Sequence, residues 1–135
     1  MGYRSDVAIK IYGNKEKILE LKYIVEAELS KASDEFIEIV NDLINSSCET
    51  VDRDLWEFDD DDASFLFFAE WVKWYDGIPE VDYFNYIYET AKKMGESDET
   101  LIGEYVRIGE ELDDNVHEGF NDDYQQLTIR RSIEY

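Results

Sequence analysis

Carboxylates are the side chains of this sequence whose number and spacing could do chemistry. Residues 49–62 hold Glu49, Asp52, Asp54, Glu57 and the unbroken run Asp59, Asp60, Asp61 and Asp62 against Arg53 alone, a net charge of −7. Residues 96–123 hold eleven acids, among them Glu110, Glu111, Asp113, Asp114, Glu118, Asp122 and Asp123, against Arg107 alone, a net of −10. Together the two segments carry 17 of the 21 net negative charges of the 135-residue chain. Like charges held close destabilise a compact state by repulsion that salt screens only beyond about 8 Å. A basic partner would offset that repulsion. Double-stranded DNA, with about one negative charge per 1.7 Å of axis, is the polymer that a row of carboxylates would imitate to a groove lined with Lys and Arg.

Other carboxylate chemistry fits the pattern less well. Calcium takes about six to eight oxygen ligands from a sharply turning loop. Asp113, Asn115 and His117 alternate suitably, but Glu118 stands where glycine is needed and no bidentate glutamate closes the loop. An acid and base pair of glycosidase type needs a deep cleft, which a chain of this length scarcely builds. His117 and Cys48 are single copies without the context of a nucleophile and its base, and a Cys and His zinc site cannot be made from them. Gly77, Gly95, Gly103, Gly109 and Gly119 are isolated, so no phosphate-cradling loop is expected. No catalytic residue, metal ligand or cofactor is assigned, and the chain reads as non-enzymatic.

Aromatic residues are the second resource. Trp71, Trp74, Tyr75, Tyr83, Tyr86 and Tyr88 could form a platform for a partner, aromatics being common at interface hot spots, or could pack a sheet against a helix. Stacking of single-stranded nucleic acid would need a positive groove beside the rings, so direct nucleic-acid binding is not expected.

These side chains need a scaffold, and the chain is long enough for one domain over residues 1–135 and too short for two. With 44% apolar residues and 20 aromatics it has the material of a core, unlike a disordered acidic tail. One cysteine allows no internal disulfide and suits a reducing compartment. The absence of an apolar run near ~20 residues, and of a basic-then-apolar start, predicts a soluble cytoplasmic protein with no membrane partner.

Val7, Ile9 and Ile11 alternate with Ala8, Lys10 and Tyr12, predicting a strand over 4–12, and Gly13-Asn14 supplies a turn and a helix N-cap. Residues 15–30 fit both a helix face and an alternating strand, with composition favouring helix. Ser33, Asp34 and Glu35 open a second helix that runs to about Asn45. Strands over 55–58 and 64–75 flank the Asp59 to Asp62 turn as a hairpin. The second of them is apolar on both faces, with Phe65, Phe67, Ala69 and Trp71 on one and Leu66, Phe68, Val72 and Trp74 on the other, which predicts a central, covered place.

Pro79 then opens a helix carrying Val81, Phe84, Ile87, Tyr88, Ala91 and Met94, closed by Lys92, Lys93 and Gly95. Strands over 104–110 and 124–135, joined by an acidic connection over 111–123, complete the chain. The order β-α-α-β-β-α-β-β predicts an α+β fold, a five-stranded, mostly antiparallel sheet with helices packed on one face. Its plan is ferredoxin-like, a split βαβ unit with an added terminal strand.

Gly2-Tyr3-Arg4-Ser5-Asp6-Val7, the stretch Val72-Lys73-Trp74-Tyr75-Asp76 followed by Pro79-Glu80-Val81, the run Arg107-Ile108-Gly109-Glu110 and the closing Arg130-Arg131-Ser132-Ile133 carry a resemblance. In these segments the chain resembles a group of small acidic bacteriophage and prophage proteins, though not over residues 14–50. The resemblance implies a viral origin and the cytoplasm of an infected bacterium. By class, it implies action against host defence proteins that handle nucleic acid, such as CRISPR effectors or restriction enzymes.

The leading expectation is therefore a phage-encoded inhibitor that occupies a basic, nucleic-acid-handling protein surface. Its contacts would be Asp59, Asp60, Asp61, Asp62, Glu110, Glu111, Asp113, Asp114, Glu118, Asp122 and Asp123. The alternative is a structural or regulatory interaction module, homodimeric in one version, that binds through its aromatic surface while charge serves solubility. A calcium-binding domain is the third.

Overall fold

The alternation of Val7, Ile9 and Ile11 produces the strand around which the rest is arranged. In the computed structural model, which describes residues 3–111, 114–121, 128–129 and 133–134, β1 (Ser5–Asn14) is the middle strand of five. It pairs antiparallel with β3 (Asp62–Val72) on one side and β4 (Ile102–Gly109) on the other. β2 (Trp56–Phe58) adds to β3 and β5 (Asn115–Phe120) adds to β4, giving the order β2-β3-β1-β4-β5. The helices α1 (Lys15–Ser30) and α2 (Asp34–Val51) carry the chain from β1 to β2, and α3 (Pro79–Gly95) carries it from β3 to β4. Each crossover joins two strands that point the same way with one antiparallel strand between them. This is the split βαβ plan with a fifth strand appended beside β4.

One hydrophobic core holds the helices to the sheet. Val7, Ile9, Ile11, Phe65, Phe67 and Ala69 face Ile18, Leu21 and Val25 of α1, Val40 of α2 and Val81, Phe84, Ile87 and Ala91 of α3. The buried residues of α1 recur every three to four positions, which settles residues 15–30 as helix. Asn14 caps it by accepting from the Glu16 N–H, and Ser33 caps α2 by accepting from the Phe36 N–H. The rings of Phe67 and Phe84 stack at 4.0 Å between centroids, with Trp74 beside both. Ala8, Phe68 and Val106 make a second, smaller cluster on the other side of the sheet, with Val51 and Ile108 against it.

Four sequence expectations are corrected in detail. The second helix runs beyond Asn45 to Val51, through low-propensity Ser46, Ser47, Cys48 and Thr50, because α2 lies along the edge of β3 that short β2 leaves uncovered. There the buried Ser47 hydroxyl accepts the Phe68 N–H at 2.8 Å, doing the work of a missing strand. The strand expected over 64–75 ends at Val72, and a bulge near Trp71 breaks its alternation. Trp74 therefore joins Phe67 on the helix side instead of taking the opposite face.

Residues 111–123, expected to be a connection, contain β5, whose Asn-Val-His-Glu-Gly sequence has no clear period. Its place is set by Phe120, whose ring fits where Cβ atoms on Gly95 and Gly103 would stand, and by Asn121, whose side-chain amide donates to the carbonyls of Gly95 and Leu101. Gly95 thus serves close approach, while the helix cap itself, Glu96, is right-handed. The terminal strand expected over 124–135 lies largely outside the described residues. Those described form β6 (Thr128–Ile129) and β7 (Ile133–Glu134), a separate antiparallel pair with β7 close to β1.

Candidate functional site: the two ends of the central strand

The register of β1 decides how the acidic segments lie. Asn14 pairs with Asp62 at one end of the strand and Ser5 pairs with Gly109 at the other. Nine residue steps at ~3.3 Å place these ends about 30 Å apart. Asp59, Asp60, Asp61 and Asp62 lie at the first end, whereas Glu110, Glu111 and Asp114 lie at the second. Glu118 is exposed on edge strand β5, and Asp113, Asp122 and Asp123 lie outside the described residues. The two sequence clusters therefore do not coincide with two spatial ones. Glu96, Asp98 and Glu99, from the segment between α3 and β4, join Asp59 to Asp62, because Gly13 lets that segment rest against β1.

At the Asn14 end the four aspartates form a turn closed by the Asp59 N–H on the Asp62 carbonyl at 2.8 Å. All four are exposed, and the Asp61 carbonyl accepts from the N–H of Lys15 at 2.9 Å. The run thus sits against the N-terminus of α1, where the helix dipole and Lys15 offset part of the repulsion. Asp98 accepts from the Thr100 hydroxyl and N–H, and those bonds lower its pKa.

At the Ser5 end Asp114 is half-buried and hydrogen-bonded, while Glu110 and Glu111 are exposed. Asp114 takes two bonds from Arg107, Nη2 to Oδ1 at 2.6 Å and Nη1 to Oδ2 at 3.0 Å, and a third from the Tyr3 hydroxyl at 2.7 Å. The bonds from Arg107, then that from Tyr3, hold the Asp114 carboxyl down to about 2. Glu110 accepts from the Arg4 N–H, and the Glu111 N–H donates to the Tyr3 hydroxyl. Gly109 permits this, since a Cβ there would fall on the Asp114 carboxylate and the Tyr3 hydroxyl. Three of the carboxyl-bearing residues expected to meet a partner therefore tie the β4–β5 turn to the N-terminal segment.

Two large aromatic side chains also stand free at the Ser5 end. Trp71 is 64% exposed and Tyr75 46% exposed. Trp71 has φ 54°, in the left-handed region that side chains other than glycine enter at a cost of roughly 1–2 kcal/mol. Its N–H is held there by the Asp6 carboxylate at 2.9 Å. At the same end, Tyr3, Trp74, Tyr75 and Tyr105 line a cleft of about 360 Å³ that also meets Asp76, Asn85 and the Arg107–Asp114 pair. Of the six aromatics singled out in the sequence, Trp74 and Tyr88 are buried and Tyr83 half-buried, while Trp71, Tyr75 and Tyr86 face out. Tyr3 and Tyr105 were missed. Arg107, the lone cation of its segment, was the signal that could have pointed to their cleft.

On the second side of the sheet Glu104 is fully buried, opposite Lys10 in register and 3.4 Å from Nε2 of His117. Burial, then the charge of Arg53, lowers the pKa of Lys10. Among the described residues no group of three or more His, Cys, Asp or Glu is placed to hold a metal ion, and no helix is long and apolar enough to cross a membrane. No family model, no curated protein and no solved structure matches this chain.

Proposed function

We propose that this chain is a non-enzymatic protein-interaction module that meets its partner with the aromatic end of the sheet. The observation that carries the reading is Trp71, a large ring left in solvent on a bulge whose backbone strain is maintained by Asp6. Strain of this kind persists where surrounding structure enforces it, and it concentrates at binding sites. Tyr75 and the cleft beside it extend the surface. The partner is a protein or a second copy of the chain. Partners retained from a lysate at high salt by the wild-type protein and lost with Trp71→Gly support the reading, as does salt-insensitive dimerisation abolished by the same change. Equal retention and equal self-association by both proteins refute it.

A second reading, the acidic inhibitor of a nucleic-acid-handling host protein, draws on Asp59 to Asp62. Their four exposed carboxylates sit on a hydrogen-bonded turn with Glu96 and Glu99 at the same end. In this reading the contact is one end of the molecule, and the resemblance to phage proteins supplies the host setting. Binding to a basic protein that is unchanged between low and high salt, or that survives reversal of the four aspartates to Lys, rules it out.

A further inference from the structure

We infer that the cleft lined by Tyr3, Trp74, Tyr75 and Tyr105 receives a cationic side chain, an arginine or lysine of the partner, with Asp76 as its counter-ion. The inference rests on the aromatic-end reading and names the chemistry that this end recognises.

Several polar atoms of the wall are already engaged. The Trp74 indole N–H donates to the Tyr105 hydroxyl, and the Tyr3 hydroxyl donates to Asp114 while accepting from the Glu111 N–H. These bonds hold the Tyr3, Trp74 and Tyr105 rings in place around the cleft. The negative face of an aromatic ring attracts Lys and Arg heads within about 6 Å.

Formal charge points the same way. Arg107 is neutralised by its two bonds to Asp114 and donates a further one to the Ser5 hydroxyl at 3.2 Å. Asp76 pairs with no cation among the described residues, which leaves the cleft one negative charge. An anionic guest would have to displace Asp114 from Arg107 and would meet the field of a chain of net charge −21. A neutral guest would gain at most a hydrogen bond from Asp76, and no ion pair. The cation alone satisfies rings and carboxylate together, and the apolar stem of Arg or Lys suits aromatic walls.

The test uses four blocked tripeptides, glycine-X-glycine with X as Arg, Lys, citrulline or Glu. Each is titrated into the whole chain at low salt while the Trp74 indole N–H signal is followed by NMR. Saturation in the millimolar range is expected for Arg and Lys, binding about tenfold weaker for citrulline, and none for Glu. Asp76→Asn should weaken the Arg peptide about tenfold, and Tyr75→Ala should weaken it at least about fivefold. Both residues are exposed, and unchanged backbone shifts verify the fold of each variant. Failure of the Arg and Lys peptides to saturate, equal binding of citrulline, tighter binding of Glu, or indifference to Asp76→Asn overturns the inference.

Trp71→Gly separates this inference from the reading beneath it. If the peptides fail but partner retention still needs Trp71, only the cleft inference falls. If the peptides bind as expected while Trp71→Gly leaves retention and self-association intact, the reading of the exposed tryptophan falls and the cation site stands.

Discussion

The Asn14 end and the Ser5 end of β1 dispose of an acidic excess in different ways. At the first, carboxylates stay in water on a backbone-bonded turn, next to a helix N-terminus and one lysine. At the second, Glu110 and Asp114 accept hydrogen bonds from Arg4, Arg107 and Tyr3, and Trp71 and Tyr75 stand exposed at the same end. An exposed carboxylate cluster adds repulsion that ions relieve, whereas a hydrogen-bonded carboxylate holds a turn in place and leaves room for apolar surface beside it. Acidity as a composition thus describes two distinct environments.

The largest effect that would break this contrast lies at the Asn14 end, in the backbone. Gly13→Ala places a methyl group on the Thr100 carbonyl at a residue with positive φ, and should cost about 3 kcal/mol in urea unfolding. A cost under about 0.5 kcal/mol would mean that the 96–101 segment is not anchored on β1.

At the Ser5 end the pH dependence of Asp114 sharpens the comparison. Its folded pKa of about 2 lies below the unfolded value of 3.8, so its contribution is complete above about pH 4 and is lost as pH falls through about 2. With the carboxylate one-third exposed, the screened contribution is on the order of 1 kcal/mol. Asp114→Asn should lower stability by that amount at neutral pH and abolish this part of the acid dependence. Equal acid unfolding curves for variant and wild type would show that the Arg107–Asp114 pair does not hold the turn.

Trp71→Gly should move the other way. Relief of the left-handed strain should raise unfolding free energy by about 1 kcal/mol or less, since the exposed ring gives up little burial. Denaturant titration checks this, and a loss above about 1 kcal/mol would assign the ring a structural role instead. The smallest effect belongs to the double change Asp60→Asn and Asp61→Asn. A gain within about 0.5 kcal/mol is expected at low salt, fading as salt is added. A gain that persists at high salt would point to a cause other than repulsion.

Much of the fold was legible because its signals are local. Val7, Ile9 and Ile11, the capping pair Asn14 and Ser33, and Pro79 with the apolar spacing after it each mark an element through contacts within a few residues. What was not legible depended on distant neighbours. Residues 46–51 remain helical because Ser47 meets a bare strand edge, and β5 forms because Phe120 and Asn121 find Gly95, Leu101 and Gly103. The bulge that exposes Trp71 and turns Trp74 inward depends on Asp6, 65 residues earlier.

By itself the sequence determined the element order through β4, the core-facing residues of β1 and α3, and the size of the charge. These follow from side-chain type and period, which a single segment carries. Only the tertiary structure decided where the charge lies. Register along β1 separates residues 59–62 from Glu110, Glu111 and Asp114 by the length of a strand, and long-range hydrogen bonds determine which carboxylates are tied into the fold. Neither the pairing of strands nor the choice of hydrogen-bond acceptor is written in any one segment, because both compare contacts between residues far apart in the chain.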